Sequence, residues 1–280
     1  MEKKFMKVNI LNGVRRIQEI FQEDNIECFI AYAKKTLTGI LTKKELIGAH
    51  PNRIIADVMS DKYICVDCNI YIWEIKEIFS RNRDIQVLLV EKEEEIIGYV
   101  TRTILNVELG QYIDSLTDLY KSDYMFYNIY NLIRQDKNAT IIFIDLNNFG
   151  YINKTYGHIA GDRILKSISD ILKSNLGSNC YLCRYGGDEF AIVAPYSIKE
   201  SKPFAEKVTK AIKAYPFLEN IPVSVSIGIT GWKRQENKGQ NISETLINKL
   251  VNRASLASTK AKKDGNNPII IEYVDINEIA

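Results

Sequence analysis

Apolar positions in the first hundred residues recur twice in the same order. Laying "IQEIF…IECFIAYAKKTLTGILTKKEL" over "IKEIF…IQVLLVEKEEEIIGYVTRTIL" sets Ile17 on Ile75, Phe21 on Phe79 and Gly39 on Gly98. Each copy reads as a helix with apolar residues at helical spacing, a strand, a charged turn, a second strand and a short helix. The pattern predicts a duplicated β-α-β-β-α unit. A half of about 50 residues is too small to cover both of its faces, so the copies are expected to pack on each other as one domain. From about Ile113 the pattern changes to helix, strand "ATIIFIDL", helix, strands "CYLCRYG" and "EFAIVAP", helix, strand "VSVSIGIT", a last helix and "PIIIEYV". Alternation of this kind predicts α/β layering, a central sheet with helices on its faces. Between the two patterns, Val107, Leu109, Tyr112 and Ile113 predict a connecting helix over residues 109–122, stiff enough to pass a change from the first domain to the second.

Composition narrows the classes. The 280 residues, 46% hydrophobic and 26% charged, suffice for about two domains with cores. With 37 basic against 35 acidic residues the net charge is +2, so no global field favours nucleic acid or an anionic membrane. No run approaches the ~18 apolar residues of a membrane span. The start, "MEKKFMKVNILNGVRR", has early lysines without the apolar stretch of a signal peptide. A cytoplasmic protein is expected, with no membrane or nucleic-acid partner. "CVDC" (Cys65, Cys68) and "CYLC" (Cys180, Cys183) have a zinc-knuckle spacing. They lie in different domains within apolar strand patterns, and His50 and His158 are the only histidines. Buried, reduced core thiols are expected instead of zinc ligands.

The repeat, with the linker "IIADVMS" between its copies, resembles a tandem cystathionine-β-synthase (CBS) pair over residues 1–108. The resemblance implies a sensor of adenine nucleotides (AMP, ADP or ATP), in which a Gly-apolar-apolar-Ser/Thr-x-x-Asp turn binds the ligand. "GILTKKE" supplies Thr42 and Glu45, with Glu for Asp. "GYVTRTI" keeps Thr101 but has Ile104 in place of the acid, so one competent site is expected. The alternative is that both turns only close hairpins in a dimerisation scaffold.

In the second half the strand Ile141–Ile144 runs into Asp145, and "RYGGDEF" puts Asp188 and Glu189 at a hairpin tip. A carboxylate at the end of a buried strand is costly unless its charge is paired. The tip offers only more anions, so three carboxylates are expected to converge around a divalent cation, their hard oxygens suiting Mg²⁺. Gly186 and Gly187 allow a tight turn and close backbone approach to a ligand such as a nucleotide.

Residues 113–280 resemble a GGDEF domain, the diguanylate cyclase family that joins two GTP into cyclic di-GMP. "DSLTDL" (Asp114–Leu119), "FIDLNNFGYINKTYGHIAGD" (Phe143–Asp162), "RYGGDEF", "VSVSIGI" and "ASLASTKAKKDGNN" carry the resemblance in order and spacing. It implies Asp145, the Leu146 carbonyl and Asp188 as ligands of Mg²⁺ or Mn²⁺, with Glu189 as a further ligand or as the base for the ribose 3′-hydroxyl. It implies Asn153 and Asp162 as guanine readers, Asn148, Phe149, Gly186 and Gly187 around the GTP, and Lys262 on phosphate. Each domain presents one GTP, so a homodimer is implied. A CBS ligand would then act by changing how two such domains meet.

Some positions depart from the family pattern. Asn147 replaces a second aspartate, Gly150 a lysine and Asn266 an arginine. Two lost cations remove contacts to the triphosphate worth roughly 1.5–3 kcal/mol each. The alternative to an active cyclase is therefore a catalytically weak domain that binds GTP and regulates a partner. "GSNC" (Gly177–Cys180) lacks the R-x-x-D of the family's product-inhibition site, so no feedback through it is expected.

Overall fold

The computed structural model describes residues 1–24, 26–233 and 243–273. The chain divides into two compact units, Met1–Gln111 and Tyr112–Ala280. The last strand expected from sequence, "PIIIEYV", ends on Val274, which lies outside the described residues.

In the first unit one copy comprises β1 (Met6–Asn9), α1 (Val14–Asp24), β2 (Cys28–Ala33), β3 (Thr36–Thr42) and α2 (Lys43–Ile47). The other comprises β4 (Tyr63–Asp67), α3 (Ile72–Arg81), β5 (Val87–Lys92), β6 (Glu95–Thr101) and α4 (Arg102–Gly110). Each forms a three-stranded sheet whose first pair is parallel and second antiparallel, in the orders β1-β2-β3 and β4-β5-β6. Both hairpins slip register just before the turn, at Ala31/Tyr32 and Val90/Glu91. The copies bury each other: Cys28, Ile30 and Ile40 share one cluster with Val87, Leu89, Ile96 and Tyr99. The segment ahead of each copy crosses to the other's neighbour strand, Glu2 bridging Tyr99 and Ser60 bridging Ile40. The duplication legible in the sequence is thus a real structural repeat.

The second unit is a three-layer α/β/α sandwich. Its sheet takes the order β11-β10-β7-β9-β8, built from β7 (Ala139–Leu146), β8 (Tyr181–Gly186), β9 (Glu189–Ala194), β10 (Val225–Trp232) and β11 (Ile269–Ile271). The helices are α5 (Ser122–Arg134), α6 (Phe149–Tyr156), α7 (His158–Asn175), α8 (Ile198–Ala214) and α9 (Glu244–Asp264). Strand β7 is buried along its whole length, as its central place requires. Side chains alternate across a strand: Ile142, Ile144 and Leu146 join the cluster of α7 and α8, while Ala139, Ile141 and Phe143 join that of α5 and α9. By the same parity Asp145 belongs to the α9 face.

What brings α9 close is Gly228 of β10. A Cβ there would lie 2.0 Å from the Ala254 carbonyl oxygen and 2.4 Å from the Ser258 nitrogen. The facing helix side is correspondingly small and buried, with Ala254, Ala257, Ser258 and Ala261. This contact sets the height of Lys262 in the last helical turn.

Two expectations are corrected. No helix spans 109–122: α4 ends at Gly110 and α5 begins at Ser122. Instead Ile113 bridges Tyr120, and the Asp114 carboxylate accepts hydrogen bonds from the Thr117 N–H and hydroxyl, at 2.9 and 2.7 Å. Such local side-chain bonds offer the backbone an alternative to helix, and Asp118 completes the turn with φ of 55°. The thiols are not uniformly core: Cys28 and Cys183 are buried, but Cys65 is exposed and Cys68 and Cys180 are half-buried. Cys65 sits on the edge strand β4, and Cys68 and Cys180 lie just outside strands, so the apolar pattern around them did not imply full burial.

Candidate active site

The site grows from the ends of β7 and β9. Their antiparallel register places Asp145 opposite Glu189, and Ser226 of β10 opposite Asp145 on the other side. Beyond the ladder the Leu146 N–H donates to the Asp188 carbonyl at 3.2 Å. Asp145, Asp188 and Glu189 therefore meet at one end of the sheet. Burial pushes the Asp145 carboxyl up from its ordinary range and the Asp188 charge adds to this, against the opposing pull of Lys262. Burial, then the Asp145 and Asp188 charges, likewise push Glu189 up. Crowded anions of this kind favour a bound cation.

A cation is indeed present, and it belongs to the protein. The Lys262 Nζ donates to Asp145 Oδ1 at 2.7 Å and to the Leu146 carbonyl at 3.0 Å. This corrects one expectation: the carboxylates do have a counter-charge, supplied by Lys262 at the carboxylate end of β7. Among the described residues no three His, Cys, Asp or Glu side chains group closely enough to hold a metal ion. The oxygens nonetheless fit one. A carboxylate oxygen and the next residue's carbonyl oxygen converge on a single positive nitrogen, which stands in for a hard cation.

The hairpin tip is fixed from below. Gly187 has φ of +47°, a conformation that suits glycine. Arg184 grips its carbonyl oxygen with Nε at 3.0 Å and Nη2 at 2.7 Å, and donates Nη1 to Asp114 Oδ1 at 2.9 Å. Burial alone would raise Asp114, but the bonds from Thr117 and Arg184 and the guanidinium charge together hold it below the usual carboxylate value. Neither Arg184 nor Asp114 stood out as a site residue in the sequence, because they lie 70 positions apart.

After β7 the chain turns. Asn148 adopts a left-handed conformation, φ 56°, ahead of α6, which starts at Phe149. Asn147, the departure from a second aspartate, is absorbed structurally: its amide donates to Ser224 Oγ at 3.0 Å and accepts from Ser226 Oγ at 2.8 Å. Gly150 adds no side chain to this turn. Asn153 stands on α6, where its Oδ1 is buried with no hydrogen-bond partner. It fits against Gly161 of α7, whose missing Cβ would lie 1.9 Å from that oxygen and 3.1 Å from Phe149 Cζ. Asp162 follows Gly161 and is exposed, as are Gly186 and Gly187.

In the first unit, Thr42 and Glu45 are engaged with each other. Glu45 Oε2 accepts from the Thr42 N–H at 2.9 Å and its hydroxyl at 2.6 Å, forming the capping box of α2. Thr101 caps α4, accepting from the Ile104 N–H at 3.2 Å.

The α/β/α fold of the second unit is one seen in solved structures. The coiled coil and GGDEF domain of DgcB from Caulobacter crescentus, in complex with c-di-GMP, matches with a TM-score of 0.52 at 18% identity, covering 61% of this chain and 90% of that one. The second unit therefore has the GGDEF-domain fold. Residues 111–268 match the family described as diguanylate cyclase, GGDEF domain, and residues 55–106 match the CBS domain. The chain belongs to the diguanylate cyclase, GGDEF domain family, joined to a CBS domain. It is 30% identical over 175 residues to the uncharacterized protein YtrP of Bacillus subtilis, spanning 61% of this chain and 28% of that protein. It is 26% identical over 181 residues to the diguanylate cyclase VdcA of Vibrio cholerae, spanning 62% of this chain and 51% of that protein. The chain spans about half or less of the length of these curated relatives. Among the described residues no helix is long and apolar enough to cross a membrane.

Proposed function

We propose that the chain is a diguanylate cyclase that condenses two GTP into cyclic di-GMP and releases two pyrophosphates. The observation that carries this reading is the crowding of Asp145 and Glu189, opposite each other in register, beside Asp188 at the sheet end. In each of two steps a ribose 3′-hydroxyl oxygen bonds to an α-phosphorus and the bond to pyrophosphate breaks. Glu189, its carboxyl pushed up by burial and neighbouring charges, takes the hydroxyl proton. The orphaned Asn153 Oδ1 accepts from guanine, whose N1–H and 2-amino group adenine lacks. Asp145, the Leu146 carbonyl and Asp188 would hold Mg²⁺ or Mn²⁺, which when bound neutralises triphosphate charge and lowers the hydroxyl's pKa. One GTP per domain requires a homodimer. We further propose that an adenine nucleotide binds the first unit at Thr42 and Glu45, exchanging their mutual bonds for bonds to the ligand, and so regulates turnover. Support for this comes from the CBS match to residues 55–106, the other copy of the repeat, and from Thr42 capping α2 as Thr101 caps α4.

The test is incubation with GTP and Mg²⁺, reading cyclic di-GMP and pyrophosphate, beside Asp188→Ala and Glu189→Ala. Product from the wild type that vanishes in both variants is expected. Tight GTP binding with no product would replace the cyclase with a GTP-binding regulator. AMP and ATP are expected to raise Tm in the wild type and not in Thr42→Val; equal shifts would refute the regulatory site.

A further inference from the structure

We propose that Lys262 is a built-in competitor of the divalent cation, so that metal loading and release of the Lys262 ammonium are one event. The inference rests on the functional reading above and extends it to the order of binding. Lys262 Nζ uses two of its three donors on the oxygens of residues 145 and 146, the same two a metal would take. Two cations cannot share those oxygens at 2.7–3.0 Å and contact distance from each other without strong repulsion. The lysine must therefore leave when a metal arrives. It is able to: its side chain is 35% exposed while that of Asp145 is 12% exposed, and four flexible carbons separate its charge from α9.

Withdrawal has a destination. A nucleotide triphosphate arriving with the metal supplies the anionic oxygens that replace Asp145 as partner. Lys260, two residues earlier, does not substitute, since it is already paired with Glu272. In the absence of nucleotide the lysine protects the carboxylate and opposes the metal; with nucleotide, both cations find anions. By linkage, nucleotide and metal then raise each other's affinity by the same factor, and Lys262 is the source of part of that coupling.

The experiment is Mn²⁺ binding to the full chain, read by the electron paramagnetic resonance signal of free Mn²⁺, with and without a non-hydrolysable GTP analogue. Lys262→Met and Lys262→Gln are both measured, the glutamine retaining a neutral donor to Asp145 should the methionine variant fail to fold. Without nucleotide, the variants are expected to bind Mn²⁺ about tenfold more tightly than the wild type, and the analogue to enhance that binding less. Nucleotide-free affinity equal to or below wild type in a folded variant overturns the competition while leaving the cyclase reading intact. If no protein takes up Mn²⁺ even with the analogue, the functional reading fails and this inference with it.

Discussion

The guanine-reading proposal hangs on a single missing methyl. In Gly161→Ala the new Cβ would stand 1.9 Å from Asn153 Oδ1, more than an ångström short of the 3.0 Å below which real Cβ contacts essentially never occur. The neighbouring Phe149 Cζ, at 3.1 Å, closes one escape. Asn153 must move by more than the whole width of the hydrogen-bond distance range, about 2.7–3.2 Å. A neutral hydrogen bond contributes roughly 1 kcal/mol, and misplacement by about 1 Å in an active site costs on the order of 10²-fold. The variant is therefore expected to bind GTP about 10-fold more weakly and to lose about 10–100-fold in kcat/KM. Its preference for GTP over ITP, which lacks the 2-amino group, should fall close to one. Calorimetric Kd values for both nucleotides make the result independent of turnover. Helix propensity favours alanine over glycine by about 1 kcal/mol, so little net change in Tm is expected. Wild-type GTP affinity and wild-type GTP/ITP discrimination would refute the assignment of Asn153.

Two further predictions address the scaffold. Arg184→Met leaves the Asp114 carboxylate, 20% exposed, and the Gly187 carbonyl without their partner, and should cost about 2–3 kcal/mol in urea unfolding. Because Asp114 is held below its unfolded value, its contribution is present above the usual carboxylate range and is lost as pH falls through the folded value; the stability gap between wild type and Arg184→Met should narrow below about pH 4, and a gap constant into strong acid would contradict the pairing. Gly228→Ala forces a Cβ onto helix backbone at 2.0 and 2.4 Å and should destabilise by about 3 kcal/mol or more, measured the same way.

Strand β7 could be read off the sequence residue for residue because a central strand is apolar on both faces, leaving no choice of register. The repeat was legible for a related reason: each copy had to hide the same face. The 109–122 helix failed where apolar spacing met Asp114 and Thr117, whose side chains bond the local backbone. Lys262 and Asp145, 117 positions apart, meet only because strand parity, helix phase and the Gly228 contact agree, and no local pattern encodes that. Thr42 and Glu45 carry two readings in the same four residues, a nucleotide turn and a capping box.

The fastening of the hairpin tip to Asp114 also bears on where this domain starts. Arg184 N–H donates to the Tyr120 carbonyl at 2.9 Å, and Lys173 Nζ to the Thr117 carbonyl at 2.8 Å, so the loop ahead of α5 is woven into the sheet edge and α7. Fragments trimmed to the first helix would keep every metal and guanine residue, and Arg184 with them, but would lose the Asp114 carboxylate that holds the guanidinium against Gly187. An excised domain that begins before Tyr112 retains the Asp114 and Tyr120 contacts of Arg184; one that begins at Ser122 leaves the guanidinium without its anchor.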